Sequence, residues 1–400
     1  MAITALLGDV AMMVKGKRPG QVNIDSKAFQ LHYRCTTFLF LSFSILSTAN
    51  SLIGNPINCV CGACAKAGIS KNIIDTHCWI SGTYTLPQKG SLPTNNLGLD
   101  NAFHGLGTPI RGEERKYHLY YQWVPFVLFL QGVLFYVPHW LWEINEDGRV
   151  FSLVHHLRLP TMDKETLKKN VGNLTMYVTE TLGSHDGYYL RFVLCDALNI
   201  INVILNLIFT DRFLNGEFLS YGPRCIHYFS NTSSALVSPM TETFPKLTKC
   251  AFQTFGVSGT VQELDALCVL ALNIFNEKIY LLLWFWLWAV AVITSAVFVG
   301  RSFFMLMKRF RPQMFQRRAL TTRTADIDDV VHNISVGDYF FLSLLAKNLD
   351  ITAFRLFLAQ LAKVTRRRRQ ARQKGRSRRA SRAEEAVAML APRGPVAAPP

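Results

Sequence analysis

Charge is almost absent from four long stretches of this 400-residue chain, although the chain carries 43 Lys or Arg and 27 Asp or Glu. The stretches are 35–53, 120–142, 192–210 and 279–300, and Asp196 in the third is their only ionised side chain. Each has about 19 to 23 residues, which is the length of helix that crosses a hydrocarbon core of about 30 Å. The missing charge therefore argues against a water-soluble domain and predicts four membrane spans.

A basic leading segment is also missing from the start of the chain, which argues against a secretory signal peptide. Residues 1–14 are apolar but too short to span a bilayer, and Lys15, Lys17 and Arg18 follow them. Two placements stay open for residues 1–14. They form either an interfacial helix on the membrane surface or a segment folded into a pore.

Enzyme motifs are missing as well. The chain has no nucleophile paired with a base, no phosphate-binding loop and no convincing set of metal ligands. We therefore expect no enzyme, no bound metal and no cofactor.

Basic residues are concentrated at the two ends of the chain. Residues 301–400 hold 21 Lys or Arg against 7 Asp or Glu, whereas residues 54–119 and 211–278 are close to neutral. Basic segments mark the cytoplasmic side of a membrane, so the termini are predicted to be cytoplasmic and the two long loops extracellular. The second span does not follow this rule, because basic residues precede it and acidic residues follow it. The predicted orientation therefore rests on the first and fourth spans.

Seven of the nine cysteines fall in the two predicted extracellular loops, where an oxidising environment favours disulfides. Cys59 and Cys78 stand 19 residues apart in the first loop, and Cys250 and Cys268 stand 18 apart in the second. Two matched pairs predict two cross-links, but spacing alone leaves the partners open. Because seven is odd, at least one thiol is left over or pairs between subunits.

A zinc site is the alternative use of the first-loop cysteines. Cys61 and Cys64 form a C-x2-C pair, and His77 directly precedes Cys78. These are zinc-ligand residue types. A structural disulfide already explains Cys78 and no second close pair of ligands follows, so we favour disulfides.

Several motifs in the loops and spans occur together. The second span opens with Tyr120, Tyr121, Gln122, Trp123 and Val124. The loop motifs are Gly54-Asn-Pro-Ile-Asn-Cys59, Thr76-His-Cys-Trp-Ile80, Phe244-Pro-Lys-Leu-Thr-Lys-Cys250 and Asp265-Ala-Leu-Cys-Val-Leu-Ala-Leu-Asn-Ile274. In these motifs, from about Val22 to Asp350, the chain resembles the innexins, the invertebrate gap-junction family, and most of all those of arthropods.

The resemblance implies a fold class and a disulfide pairing. The fold is an all-α membrane protein, with a bundle of four transmembrane helices per subunit, disulfide-linked extracellular loops of small α/β character and a helical cytoplasmic domain. The implied bridges are Cys59 to Cys268 and Cys78 to Cys250. The chain departs from the family pattern in its extracellular loops, where Asn55, for example, replaces an acidic residue. These departures bear on which rings its loops can dock with.

The resemblance also implies a gap-junction channel subunit in the plasma membrane. Similar proteins form rings, with eight subunits known in the family, and two rings dock to pass ions and small metabolites. Hetero-oligomers with other innexins are a further option. In the family the first span and the N-terminal segment line the pore; that segment begins here with Met1, Ala2, Ile3 and Thr4. The absence of a potassium-filter sequence and of a voltage-sensor pattern fits such a wide pore.

The predicted organisation follows from these readings. In chain order it is 1–34 cytoplasmic and pore-lining, 35–53 first span, 54–119 first extracellular loop, 120–142 second span, 143–191 cytoplasmic loop, 192–210 third span, 211–278 second extracellular loop, 279–300 fourth span, 301–365 cytoplasmic helical domain and 366–400 disordered tail. The Arg-rich part of the tail suggests attraction to membrane lipids rather than to nucleic acid, or a merely solvated tail.

Two other functions stay open. An undocked hemichannel would release ions and metabolites, and a tetraspan adhesion or scaffold protein would bind partners without conducting. Asn231, followed by Thr-Ser, is an N-glycosylation candidate in the second loop, and a glycan there would obstruct docking.

Overall fold

The computed structural model describes residues 22–86, 106, 115–157, 163–230, 238–256, 258–307, 309–318, 324–331 and 334–390. The pore-lining prediction for Met1, Ala2, Ile3 and Thr4 and the glycosylation candidate Asn231 lie outside these residues.

Helices account for most of the described chain. In chain order they are α1 (Lys27–Ile53), α2 (Gly62–Lys66), α3 (Lys71–Ser81), α4 (Val124–Glu146), α5 (Arg149–Val154), α6 (Lys164–Thr181), α7 (Asp186–Phe213), α8 (Phe218–Ser230), α9 (Pro239–Thr243), α10 (Leu272–Leu306), α11 (Arg311–Arg318), α12 (Thr324–Val331), α13 (Val336–Asn348) and α14 (Ile351–Leu390). Short 3-10 turns cover Tyr120–Gln122 and His155–Leu157.

Four of these helices, α1, α4, α7 and α10, are long and apolar enough to cross a membrane. They cover the four predicted spans, except that the second begins as the 3-10 turn Tyr120–Gln122. The predicted fold class, a four-span helical membrane protein with disulfide-linked loops, is confirmed. Each helix also extends beyond its apolar stretch at one end or both, because neighbouring polar residues continue the hydrogen-bonded turns.

Several polar side chains inside the spans form hydrogen bonds between helices. His32 Nε2 lies 2.7 Å from Thr294 Oγ1, and Trp286 Nε1 donates to Thr36 Oγ1 at 3.0 Å, so α1 is tied to α10 twice. Ser44 Oγ donates to the Pro125 carbonyl at 2.8 Å. Such pairing is needed because no water is present in the hydrocarbon region to satisfy these groups.

One five-stranded antiparallel sheet is built from both loops. Its strands are β1 (Asn58–Val60), β2 (Thr83–Thr85), β3 (Lys116–His118), β4 (Leu247–Phe255) and β5 (Val261–Val269), in the spatial order β1-β5-β4-β2-β3. The β4–β5 hairpin of the second loop is therefore flanked on both sides by strands of the first. We call this sheet, with α2, α3, α8 and α9, the loop domain.

The chain divides into two compact units. One holds the loop domain with 26–141 and 195–298, and its core runs from Phe40 in α1 to Val290 in α10. The other holds 17–25, 142–194 and 299–400. In its described part, α14 packs against α6 and α12 and buries the apolar side chains Phe354, Phe357, Leu358 and Leu361.

The prediction of a disordered tail from residue 366 is corrected over 366–390. There α14 continues without a break to Leu390. Arg, Ala, Gln, Lys and Glu dominate this segment and are strong helix formers, and Pro392 is the first proline after them. The Arg-rich composition suggested disorder because it offers no apolar face, whereas high helix propensity extends a helix that is already nucleated upstream. Residues 391–400 lie outside the described part.

Candidate functional site

Two disulfides join the first loop to the second. Cys59 is bonded to Cys268, and Cys78 is bonded to Cys250. All four side chains are buried. These are the same pairs as the family resemblance implies. The pairing stays a prediction, which peptide mapping without reduction can test.

Local structure holds both bridges in place. Cys59 and Cys268 lie directly opposite each other in the β1–β5 ladder. Asp75 in α3 accepts a hydrogen bond from the Cys59 amide at 2.7 Å. Because α3 also carries Cys78, this one helix connects the two bridges and positions β1 on the sheet.

A third disulfide, Cys61 to Cys64, was not anticipated from the sequence. The sequence did contain a signal for this bond, because two cysteines in a C-x2-C pair in an oxidising loop can form a disulfide with each other. Cys225, the seventh loop cysteine, is a buried free thiol, and burial raises its pKa.

The first-loop cysteines named in the zinc alternative are all bonded in disulfides. Cys61 and Cys64 are bonded to each other. The sulfur atoms of Cys59, Cys78 and Cys268 lie within 4.8 Å of one another, but each belongs to a disulfide and so is not a thiolate ligand.

The signature Tyr120 to Val124 connects the second span to both loops. The Tyr120 hydroxyl donates to the Thr243 carbonyl at 3.3 Å, and the Gln122 side-chain amide donates to the Trp79 carbonyl. Tyr121 and Val124 are buried, whereas Trp123 is 60% exposed.

A charged cluster joins β3 to the β4–β5 hairpin. Arg115 forms an ion pair with Glu263 at 2.8 Å, and its guanidinium lies 4.8 Å from the centre of the Tyr84 ring. The Tyr84 hydroxyl donates to Asp265 at 3.2 Å. Burial and the nearby Asp265 carboxylate raise the pKa of Tyr84 to about 12. Asp265 also pairs with Lys249 at 3.5 Å, so the cluster holds the hairpin against the first loop.

A second cluster ties the first loop to α8. Glu217 accepts from Arg224 and lies 3.2 Å from Lys116 in β3. Burial opposes ionisation of this carboxyl, but hydrogen bonds and charge from the two cations outweigh burial and lower the pKa of Glu217. Arg224 also pairs with Glu242 at 3.1 Å, which links α8 to α9.

The far half of the β4–β5 hairpin extends past its neighbours. Strand β1 pairs only with residues 267–269 of β5, and β2 pairs with β4 at Lys249. The hairpin continues from there to Phe255 and Val261, which are 79% and 62% exposed. Its tip lies about nine residues, or roughly 30 Å, along the strand from the point where β5 leads into α10.

Four apolar helices and two loops locked by disulfides into one sheet define a class: a four-span membrane protein that presents a rigid extracellular domain. Comparison with known proteins identifies the family. The sequence model of the Innexin family matches residues 25–365. The chain belongs to the innexin family, whose members form gap-junction and hemichannel subunits.

Individual innexins are similar along most of their length. Innexin inx3 of Drosophila melanogaster is 39% identical over 339 residues, 84% of each chain. Innexin inx2 of Schistocerca americana is 38% identical over 357 residues, 89% of this chain and 97% of its own. Innexin shaking-B of Drosophila melanogaster is 36% identical over 335 residues. The protein is therefore a multi-pass channel protein of the plasma membrane and the gap junction, in a family whose oligomers include hetero-oligomers.

Proposed function

We propose that this chain assembles into a ring and that two rings on apposed cells dock through their loop domains, forming a channel for ions and small metabolites. One observation carries the docking step. Two interloop disulfides and a shared sheet make the loops a single rigid body, and the exposed Phe255 and Val261 lie at the end farthest from α10. Rigid surfaces bind without a large ordering cost.

An eight-membered ring is the proposed assembly, supported by the family resemblance. Its pore would be lined by the N-terminal segment and α1. Deletion of residues 2–14 should then change conductance or gating while rings still assemble. An interfacial helix predicts unchanged conductance, so unaltered single-channel currents from assembled truncated rings would decide against the pore-lining role.

Cytoplasmic termini are part of the proposal, supported by the basic ends of the chain. The middle loop between α4 and α7 would then also be cytoplasmic. The charge of α14 would face the anionic inner leaflet. A tag placed after Pro400 that is labelled in intact cells would contradict this orientation.

The test of the proposed function uses paired cells that express only this innexin. We expect dye and current to pass between the cells of a pair. Current in single cells without transfer between pairs would identify an undocked hemichannel. Surface expression with neither kind of current would identify an adhesion or scaffold protein.

The undocked hemichannel has one sequence observation in its favour, the Asn231-Thr-Ser acceptor in the second loop. A glycan at Asn231 would stand between apposed rings. Transfer between paired cells that appears only after Asn231→Gln would support this alternative.

A further inference from the structure

A cavity of about 600 Å³ lies between the helix ends of the unit that contains 142–194 and 299–400. One wall is a stripe along the start of α7, formed by Asp186, Tyr189, Leu190 and Val193. These positions follow one face of a helix. The volume is within the range of sites that hold small molecules.

The opposite walls come from the last turn of α10 and from the segment leading into α13. Ser302 and Leu306 contribute from α10, and residues 334–336 close another side. This second segment is fixed to α7, because the Gly337 amide donates to Asp186 Oδ1 at 2.9 Å. Gly337 also allows the close approach, since a Cβ there would lie 2.3 Å from the His185 carbonyl. The wall formed by residues 334–336 is therefore held against the start of α7 by close backbone packing.

One buried cation lines this cavity. Arg311 is 2% exposed, and its guanidinium donates twice to the Met305 carbonyl, at 2.9 and 2.6 Å. In the described part of the chain no carboxylate forms an ion pair with Arg311. A buried charge that has only neutral partners is costly and favours an anion nearby.

The place of the cavity along the spans indicates what kind of molecule reaches it. Asp186 is the first residue of α7 and Leu306 the last of α10. With four crossings, these two ends emerge on the same side of the membrane, which the proposed topology makes cytoplasmic. Leu190 and Leu306 are 58% and 71% exposed. The cavity thus has an apolar wall that continues along two spans, and its lining also includes a cation.

We infer that this cavity binds a phospholipid of the inner leaflet that has an anionic headgroup, with its phosphate toward Arg311 and an acyl chain along α7 and α10. The inference rests on the proposed cytoplasmic orientation of the termini but not on docking or conduction. Asp186 is the one acid of the lining, and its Oδ1 already accepts the Gly337 amide.

The experiment uses the full-length protein in lipid nanodiscs that contain trace photoactivatable phosphatidylserine or photoactivatable phosphatidylcholine. Labelled peptides are then mapped by mass spectrometry. Leu190→Trp fills the cavity. Leu205→Trp is the matched control, because Leu205 lies on the same helix, is 57% exposed and does not line the cavity. We expect labelling of 186–193 or 302–306 to fall roughly tenfold with Leu190→Trp and to stay unchanged with Leu205→Trp.

A charge variant tests the headgroup. Arg311→Gln should lower the preference for phosphatidylserine over phosphatidylcholine roughly fivefold, the contribution of one basic residue near a membrane. Inorganic phosphate added in excess separates two sources of the anion. If neither lipid labels 186–193 or 302–306 even without phosphate, while phosphate raises the unfolding midpoint of the wild type but not of Arg311→Gln, the site takes a soluble anion and the lipid inference is overturned.

Two further results would also overturn the inference that this cavity binds a phospholipid. One is equal labelling of the wild type and Leu190→Trp, with both eluting as intact oligomers. The other is a cross-link from these peptides to a neighbouring subunit, which would show that protein covers the cavity. Because labelling needs neither transfer between cells nor current, these results are separable from failure of the proposed channel function.

Discussion

Individual residues determine how closely the loop domain packs against the spans, and Gly222 is one of them. A Cβ at Gly222 in α8 would lie 2.2 Å from the Trp284 ring of α10, whose Nε1 donates to the Leu219 carbonyl at 3.2 Å. Nothing in the sequence pattern marks Gly222, because only the folded chain brings Trp284 beside it. The cysteine bridges differ: their existence could be predicted from the oxidising loops, but their partners rested on the resemblance.

Gly222→Ala should destabilise the protein. The added methyl group must displace a large ring in a packed contact, which costs about 1 to 3 kcal/mol, against a gain of about 1 kcal/mol in helix propensity. Gly172→Ala is the control, because no atom lies within 4 Å of its added Cβ in α6. Thermal unfolding in detergent should show a lower midpoint for Gly222→Ala only. Equal midpoints for both variants would contradict the predicted overlap.

The two interloop bridges should appear in peptide maps made without reduction. We expect Cys59 joined to Cys268 and Cys78 joined to Cys250, with Cys61 joined to Cys64. The interloop bridges close loops of 209 and 172 residues, so each should contribute roughly 5 kcal/mol by chain entropy. Removing the short Cys61–Cys64 bridge should cost less. A peptide that joins Cys59 to Cys78 would exclude this arrangement.

At the scale of elements, local signals predicted the helices better than the sheet. Span length and lack of charge locate α1, α4, α7 and α10. The sheet order could not be predicted, because β1 and β5 pair across about 200 residues and no local pattern specifies that partner. The far end of α14 was missed because composition suggested disorder where helix propensity prevailed.

The start of α14 offers a test of capping. Asp350, which directly precedes α14, accepts hydrogen bonds from the Thr352 amide at 3.0 Å and from its hydroxyl, and the Thr352 hydroxyl and nearby backbone amides lower the pKa of Asp350. Asp350→Ala should cost about 1 kcal/mol at neutral pH, whereas Asp350→Asn should keep most of the cap.

The pH dependence of this cap has a definite sign. Because the folded-state pKa is lowered, the charged cap stabilises fully above the unfolded value of about 3.9 and loses its effect as pH falls through the folded value. Thermal unfolding at several pH values should show the gap between wild type and Asp350→Ala narrowing below about pH 4. A gap that widens in acid would exclude this role.

At the scale of the whole molecule, the loop domain turns two distant segments into one extracellular surface. The disulfides and the charged clusters at Arg115 and Glu217 are its internal connections. They leave the tip of the β4–β5 hairpin, with Phe255 exposed, beyond the part of the hairpin that β1 and β2 flank. A docking surface at that tip is the central claim.

Junctional current between paired cells that carry Phe255→Asp tests this claim most directly. A charge at the tip should oppose contact between apposed rings, while Phe255→Leu, the matched control, keeps the apolar character. We expect Phe255→Asp to abolish junctional current and to leave current through undocked channels in single cells at the wild-type level, with Phe255→Leu retaining both. Junctional current that persists with Phe255→Asp at equal surface expression would contradict the claim.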